Sequence, residues 1–506
     1  LEDDPATLAR LRDIGFANPH AVSKTIKSWY AGRYNALRTA TARQRLAEFM
    51  PDLLRALARP GNDPDAAFIA FDRFLSGLPS GVQLFSMLAA NRHLLDLIAR
   101  ILSCAPRLAG ELSRRPRIFD AVIEPGFFEN LPGPDTLKEL IERTMPPGTA
   151  YDIVLDQARI IHREQMFRIG ARILSATINA DEAASAYSDL AEALVARLLD
   201  NARDEMARRH GNIAGSALAV IAMGKLGGRE MTATSDLDLI VVYDHEPGAA
   251  FSDGEKPLET NRYFARLTQR LVSGLTVPTS EGGLYEVDMR LRPSGNKGPV
   301  ATSLSSFIEY QKSSAWTWEK MALTRARVIA ADPGLEEKLN GAIRSALCQP
   351  CDAGKIRADA LAMRKVMRTE KPPTGFWDLK NPDGGIIELE FIVQVLQVIH
   401  AASCPAILTG NMKKALARLR DHELLAAPKA NDLLTALELY QSLSQVLKLG
   451  IKGEYRPETA PPGLTAMINR AAATPDIEST MALLKNTRQT VKSIFNEAVA
   501  GPARQA

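Results

Sequence analysis

The stretch from Ala217 to Tyr243 constrains the fold more than any other part of the chain. An apolar run, Ala217 to Met223, leads into Gly224-Lys225-Leu226-Gly227-Gly228-Arg229-Glu230. After Thr234-Ser235-Asp236-Leu237-Asp238 a second apolar run follows, Leu239 to Tyr243. Short apolar runs separated by glycine-rich sequence read as buried strands joined by a turn. Side chains two apart on a strand share a face, so Asp236 and Asp238 aim together, while Leu237 and Leu239 aim the other way, toward a core. Asp-x-Asp alone is commonplace on a solvated strand edge. Set between apolar flanks and beside glycines that expose backbone N–H groups, the pair forms a site for metal ions and a nucleotide's phosphates. No Gly-x-x-x-x-Gly-Lys-Ser/Thr occurs, and no Gly-x-Gly-x-x-Gly follows a strand, so neither a P-loop nor a Rossmann reading has support.

A third carboxylate lies downstream. Glu281-Gly282-Gly283 reads as a turn, and Leu284 to Pro293 alternates as a strand with Glu286, Asp288, Arg290 and Arg292 on one face. A salt-bridged surface strand has the same pattern. After a paired-Asp motif, however, interleaved acid and arginine fit metal binding with triphosphate neutralisation, since the guanidinium fork suits phosphate oxygens.

With these residues in view, the chain resembles the bacterial glutamine synthetase adenylyltransferase family, within the DNA polymerase β-like nucleotidyltransferases. The resemblance is carried by Gly224 to Glu230 with Ser235-Asp236-Leu237-Asp238, and by Val287-Asp288-Met289-Arg290-Leu291-Arg292-Pro293-Ser294-Gly295. Two further blocks follow in order. One is Ala315-Trp316-Thr317-Trp318-Glu319 with Ala322 to Arg327; the other runs from Gly384-Gly385-Ile386-Ile387 to Gln394. Members carry two such units in one long chain, an amino-terminal one that removes AMP and a carboxy-terminal one that adds it. This sequence has one Asp-x-Asp unit and starts at Leu1, so it is expected to be one half of a longer polypeptide. Arg325 stands where the removing unit more often has Lys, and Ile387 where it tends to have Arg. Both favour the carboxy-terminal, adenylylating half.

The resemblance implies an α+β, predominantly helical fold, with a polymerase β-like mixed sheet flanked by helical domains. It implies AMP transfer from ATP to a tyrosine hydroxyl of glutamine synthetase, with phosphorolytic removal of AMP as the alternative. Asp236, Asp238 and Asp288 would be catalytic and would hold two Mg²⁺ ions, Mn²⁺ being possible. Asp288 could instead act as general base. Nucleotide-binding residues would be Gly224, Lys225, Gly227, Gly228, Arg229, Ser235, Arg290, Arg292, Arg325 and Arg327. A PII-type signal protein is implied as regulator.

Composition bounds the rest. At 506 residues, 46% hydrophobic and 24% charged, the chain is an ordinary globular one with room for several domains. A net charge of +3 is too small to imply nucleic-acid binding. No apolar run reaches the roughly 18–20 residues that span a bilayer, and the first residues are acidic and polar. A cytoplasmic setting is the expectation. Cys348-Gln349-Pro350-Cys351 has redox-motif spacing without a second pair or thioredoxin context, and no Ser-His-Asp set can be assembled.

Helical spacing marks Leu46 to Leu57, Val82 to Leu102, Leu108 to Leu112, and Tyr187, Leu190, Leu194 and Leu198. Pro-Gly clusters at 60–63, 132–134, 146–148 and 332–334 punctuate the chain. Three segments are predicted: a helical region 1–145, a catalytic domain 146–335 and a helical bundle 336–506. Met363 to Arg368 reads as a helix with a solvated basic side or as a basic wall for phosphates. Trp316 and Trp318 read as packing residues, and Gly501 to Ala506 as a frayed end.

Overall fold

The computed structural model describes residues 4–59, 63–114, 131–451 and 453–500. The expected helix stop at 60–62 and the end from Gly501 lie outside them. The chain forms two compact units, each discontinuous in sequence: Leu1–Leu131 with Met166–Ala180 and Ser442–Leu483, and Pro132–Gln165 with Asp181–Gln441 and Leu484–Ala506. Packing between helices distant in the chain, rather than the Pro-Gly breaks, defines these units, so they differ from the three consecutive segments read from sequence.

The described part of the first unit is helical. Helices Ala40–Leu57, Pro64–Gly77 and Arg92–Cys104 present Leu46, Leu53, Phe71, Phe74 and Ile101 to a dry interior. Trp29 is fully buried against Phe68, ring centroids 5.0 Å apart, and gives its indole N–H to Asp72. The late helix Pro462–Ala471 packs on Arg92–Cys104.

The second unit holds a five-stranded mixed sheet among helices. Strand β1 (Ala217–Ala222) pairs antiparallel with β2 (Leu237–Asp244), and β5 (Arg327–Ala331) pairs antiparallel with the other edge of β1. The free side of β2 is shared. Strand β3 (Val287–Asp288) lies parallel to its first residues, and β4 (Ala301–Ser303) parallel to Val241–Tyr243. Ile240 and Val242 join Ala219, Ile221, Leu304, Phe307, Leu335 and Leu339 in one core. On the opposite face Tyr243 stacks on Phe264 of the helix Thr260–Thr276 at 4.0 Å. A strand covered on both faces reads as a continuous apolar run, which is why Leu239 to Tyr243 lacks alternation. No described helix is long and apolar enough to cross a membrane.

Two sequence expectations change. Leu284 to Pro293 is not one strand: pairing stops at Asp288, whose carboxylate accepts the Arg290 backbone N–H at 2.8 Å and bends the chain away. Arg292 then donates to the carbonyls of Met289 and Pro299, fixing a loop. Trp316, expected to pack, is 70% exposed.

Candidate active site

The antiparallel and parallel pairings of β2 meet at Asp238. Its backbone carbonyl accepts the Met223 N–H at 2.8 Å from one side, and Asp288 sits in register beside it on the other. Asp236 precedes the strand and is exposed, whereas Asp238 is partly buried. Burial, then the nearby Asp236 and Asp288 charges, push the Asp238 carboxyl up to about 6. Asp288 goes the other way, since hydrogen bonds from Arg290 hold its carboxyl below the usual range. The Arg290 guanidinium donates to both Asp288 oxygens. The structure therefore brings Asp236, Asp238, Asp288 and Arg290 together.

The glycine stretch is a single helical turn, Gly224–Gly228, closed by Gly227 donating to the Met223 carbonyl. Gly224 has φ +53°, and a Cβ there would come within 2.3 Å of Asp238 Oδ2. A glycine is needed for the carboxylate to lie against the turn. Gly227 and Gly228 permit close packing: added Cβ atoms would meet the Arg325 carbonyl oxygen at 1.9 Å and its guanidinium at 2.4 Å. Ser235 accepts the Thr232 backbone N–H at 2.9 Å, and Lys225 is half-buried beside the turn.

Four arginines read from sequence as phosphate ligands are bonded to protein groups in the structure. Arg325 is buried; it donates to Glu230 Oε2 at 2.7 Å and to the Gly224 carbonyl at 2.9 Å, with Glu390 at 3.5 Å. Glu230 also accepts the Met412 N–H at 2.7 Å. Arg327 grips Glu192 with two nitrogens and reaches the carbonyls of Leu226 and Gly227. Arg292 is the buried loop brace already described. Arg229, at φ +57°, is bonded to Asp189 at 2.6 Å. Neighbouring carboxylates thus turn Arg325, Arg327 and Arg229 into struts around the glycine turn. The basic run also resolves. Arg364 is buried on Glu388 at 2.9 Å, while Arg368 reaches Asp383 at 3.2 Å on the surface.

Supports that sequence reading missed surround the site. Buried Arg159 donates to the carbonyls of Leu155, Gly274, Val277 and Gly282, and Arg163 pairs with Glu281 at 2.6 Å, holding the turn before β3. Glu319 takes the Trp316 N–H at 2.8 Å and the Tyr310 hydroxyl at 2.9 Å, anchoring the helix Thr317–Leu323 ahead of Arg325. No pattern of period 2 or 3.6 flags such residues, because their partners are over a hundred positions away or lie across a turn.

The donor set suits a divalent cation: carboxylate oxygens are hard ligands, and the charge crowding that raises the Asp238 carboxyl is what such an ion relieves. As placed, no three His, Cys, Asp or Glu side chains among the described residues converge on one metal position. Arg290 holds the Asp288 oxygens instead.

Residues 95–342, which contain all five strands, match the family model for glutamate-ammonia ligase adenylyltransferase. The chain belongs to the glutamate-ammonia ligase adenylyltransferase family. Residues 361–499 of this family member match the model for GlnD PII-uridylyltransferase. A bifunctional glutamine synthetase adenylyltransferase/adenylyl-removing enzyme of Rhizobium meliloti is 43% identical over 99% of the chain and 51% of its own length. Those of Agrobacterium fabrum and Bradyrhizobium diazoefficiens are 43% and 42% identical, over 98% and 99% of the chain and 50% of their own lengths. The chain spans about half the length of the curated relatives it matches.

Proposed function

We propose that this chain transfers AMP from ATP to a tyrosine hydroxyl of glutamine synthetase, releasing pyrophosphate, in the cytoplasm and under a PII-type signal protein. The observation that carries the reading is the pairing of Asp238 with Asp288 on adjacent parallel strands, against a turn whose Gly224 leaves room for the carboxylate. Asp236, Asp238 and Asp288 would hold Mg²⁺. When bound, the metal neutralises phosphate charge and lowers the pKa of the attacking hydroxyl from its ordinary value of about 10.

The remaining chemistry belongs to the chain. Asp288, kept ionised by Arg290, can accept the tyrosine proton if it is not spent as a ligand. Lys225, Ser235 and Arg290 line the phosphate side, with Arg290 free to transfer its guanidinium from Asp288 to a phosphate oxygen. The struts at Arg325, Arg327 and Arg229 hold the turn fixed, so transfer rests on positioning and charge neutralisation.

Phosphorolytic removal of AMP would use the same carboxylates. Arg325 and Ile387 support addition, since these are the two positions at which the sequence resembles the transferring unit. The direct test incubates the chain with labelled ATP and unmodified glutamine synthetase, and separately with phosphate and adenylylated synthetase. Label incorporation in the first and no AMP release in the second is expected; the opposite pair of results overturns the assigned direction.

A further inference from the structure

The glycine turn Gly224–Gly228 touches a second element besides the sheet: the loop that links the helices Ile386–His400 and Met412–Asp421. Asn411 donates from its side-chain Nδ2 to the Gly228 carbonyl at 3.0 Å. In the other direction Glu230, two residues past the turn, accepts the Met412 N–H at 2.7 Å. The two backbones lie close along this contact. A Cβ on Gly228 would come within 2.8 Å of the Gly410 carbonyl oxygen, and one on Gly410 within 3.2 Å of the Gly227 carbonyl oxygen.

The loop itself is fixed. Buried Gln397 donates its amide to the carbonyls of Ile407 and Thr409, each at 3.0 Å, and Arg418 donates to those of Ala406 and Leu408 at 3.1 and 2.7 Å. Asn411 is also the N-cap of the helix Met412–Asp421, its Oδ1 accepting the Lys414 N–H at 3.1 Å. Lys413 ties that helix to Asp181 at 2.8 Å and Glu438 at 2.9 Å. One amide thus has two tasks: its oxygen starts a helix, and its nitrogen holds the last carbonyl of the glycine turn. A helical turn leaves its end carbonyls without an internal partner, so the Gly228 oxygen is open to this donor. At the other end of the turn Gly224 abuts Asp238. Five helical residues span about 7 Å, so a shift at Gly228 is passed on to Gly224.

We propose that Asn411 is a positioning residue for the transfer reaction: it clamps the far end of the glycine turn and so sets where Gly224 and the backbone of the turn stand against Asp238. The assignment rests on the nucleotidyltransferase reading above and adds a brace from outside the sheet. Catalysis by positioning is steep in distance, and a misplacement of about 1 Å costs on the order of 100-fold in rate. A single hydrogen bond contributes little to the stability of a 506-residue chain. The rate should therefore respond to loss of this bond where the melting temperature does not.

The test uses variants that keep the helix cap and remove the amide donor. Serine and aspartate cap helices about as well as asparagine, and neither carries an amide nitrogen for the Gly228 carbonyl. In the full chain with Mg²⁺, labelled ATP and glutamine synthetase, Asn411→Ser and Asn411→Asp should lower kcat for AMP transfer about tenfold or more, with KM for ATP changed less than about twofold and the melting temperature unchanged. Amide hydrogen exchange at Gly227, Arg229 and Glu230, whose N–H groups bond within the turn, should quicken about tenfold in both variants. Asn91→Asp, the same replacement at the N-cap of the helix Arg92–Cys104, should alter neither kcat nor exchange in the turn. Unaltered exchange or unaltered kcat in the Asn411 variants overturns the clamp. A kcat loss that only follows a lowered melting temperature overturns it too, leaving Asn411 a helix cap. If the unaltered chain transfers no AMP, the nucleotidyltransferase reading fails, and the exchange rates still decide whether Asn411 holds the turn.

Discussion

Replacing Asp238 by asparagine should make the chain more stable while abolishing its chemistry. Burial and the Asp236 and Asp288 charges push this carboxyl up from 3.8 to about 6. Between those values the folded chain binds the proton more tightly than the unfolded one. Its stability contribution therefore falls as pH rises through that window and stays lost above it. Two pH units correspond to about 3 kcal/mol; partial solvent access screens this to about 1–2 kcal/mol. In a chain of this size that is about 1–2 °C in melting temperature. Thermal melting of Asp238→Asn and the unaltered chain, from pH 4 to pH 8 with a chelator present, should show the variant melting higher at pH 7.5. The difference should vanish near pH 4, where the native carboxyl is already protonated. Added Mg²⁺ should narrow the gap by stabilising the unaltered chain more. A variant destabilised by the same amount at every pH would refute the crowded-carboxylate account.

His162 tests the same linkage with opposite sign. Its Nε2 is buried, its ring packs 4.6 Å from the Tyr285 ring, and burial lowers its pKa to about 3. A base kept neutral in the fold makes stability fall as pH drops from about 6.5, so His162→Phe should lose less stability on acidification, by several kcal/mol at pH 4; parallel denaturation curves for the two chains would sink this. Arg325→Ala strands Glu230 in the interior and should cost about 3–5 kcal/mol, with partial recovery in Arg325→Met/Glu230→Gln; a double variant no better than the single one, by denaturant melting, removes the pairing argument. Gly227→Ala drives a Cβ into the Arg325 carbonyl and should shift the catalytic turn, lowering transfer by about 100-fold or more, whereas Gly341→Ala, with open space around it, should leave activity unchanged.

The paired aspartates were legible because strand periodicity is local and the apolar flanks set the face. Gly224 was legible too, although its reason is the neighbouring Asp238 oxygen rather than exposure of an N–H. The partners of the arginines were not legible, for a physical cause. A guanidinium looks equally ready for phosphate or carboxylate, and nothing near Arg325, Arg327 or Arg229 in sequence names Glu230, Glu192 or Asp189 as its partner. Asp288 was found while its strand was overextended, because its own carboxylate captures the Arg290 N–H and ends the pairing.

From the amino-acid order alone came the chemistry: two carboxylates two residues apart, a third downstream, and four ordered blocks that mark one family. These depend on residue type and short spacing, which survive without coordinates. The tertiary structure decided which charges remain available. Bonds to carboxylates and backbone carbonyls make Arg325, Arg327 and Arg292 into struts, while Arg290 stays exposed beside Asp288. Charge is written in the sequence; whether it is spent on the fold or left for a ligand depends on neighbours that only the packed chain supplies.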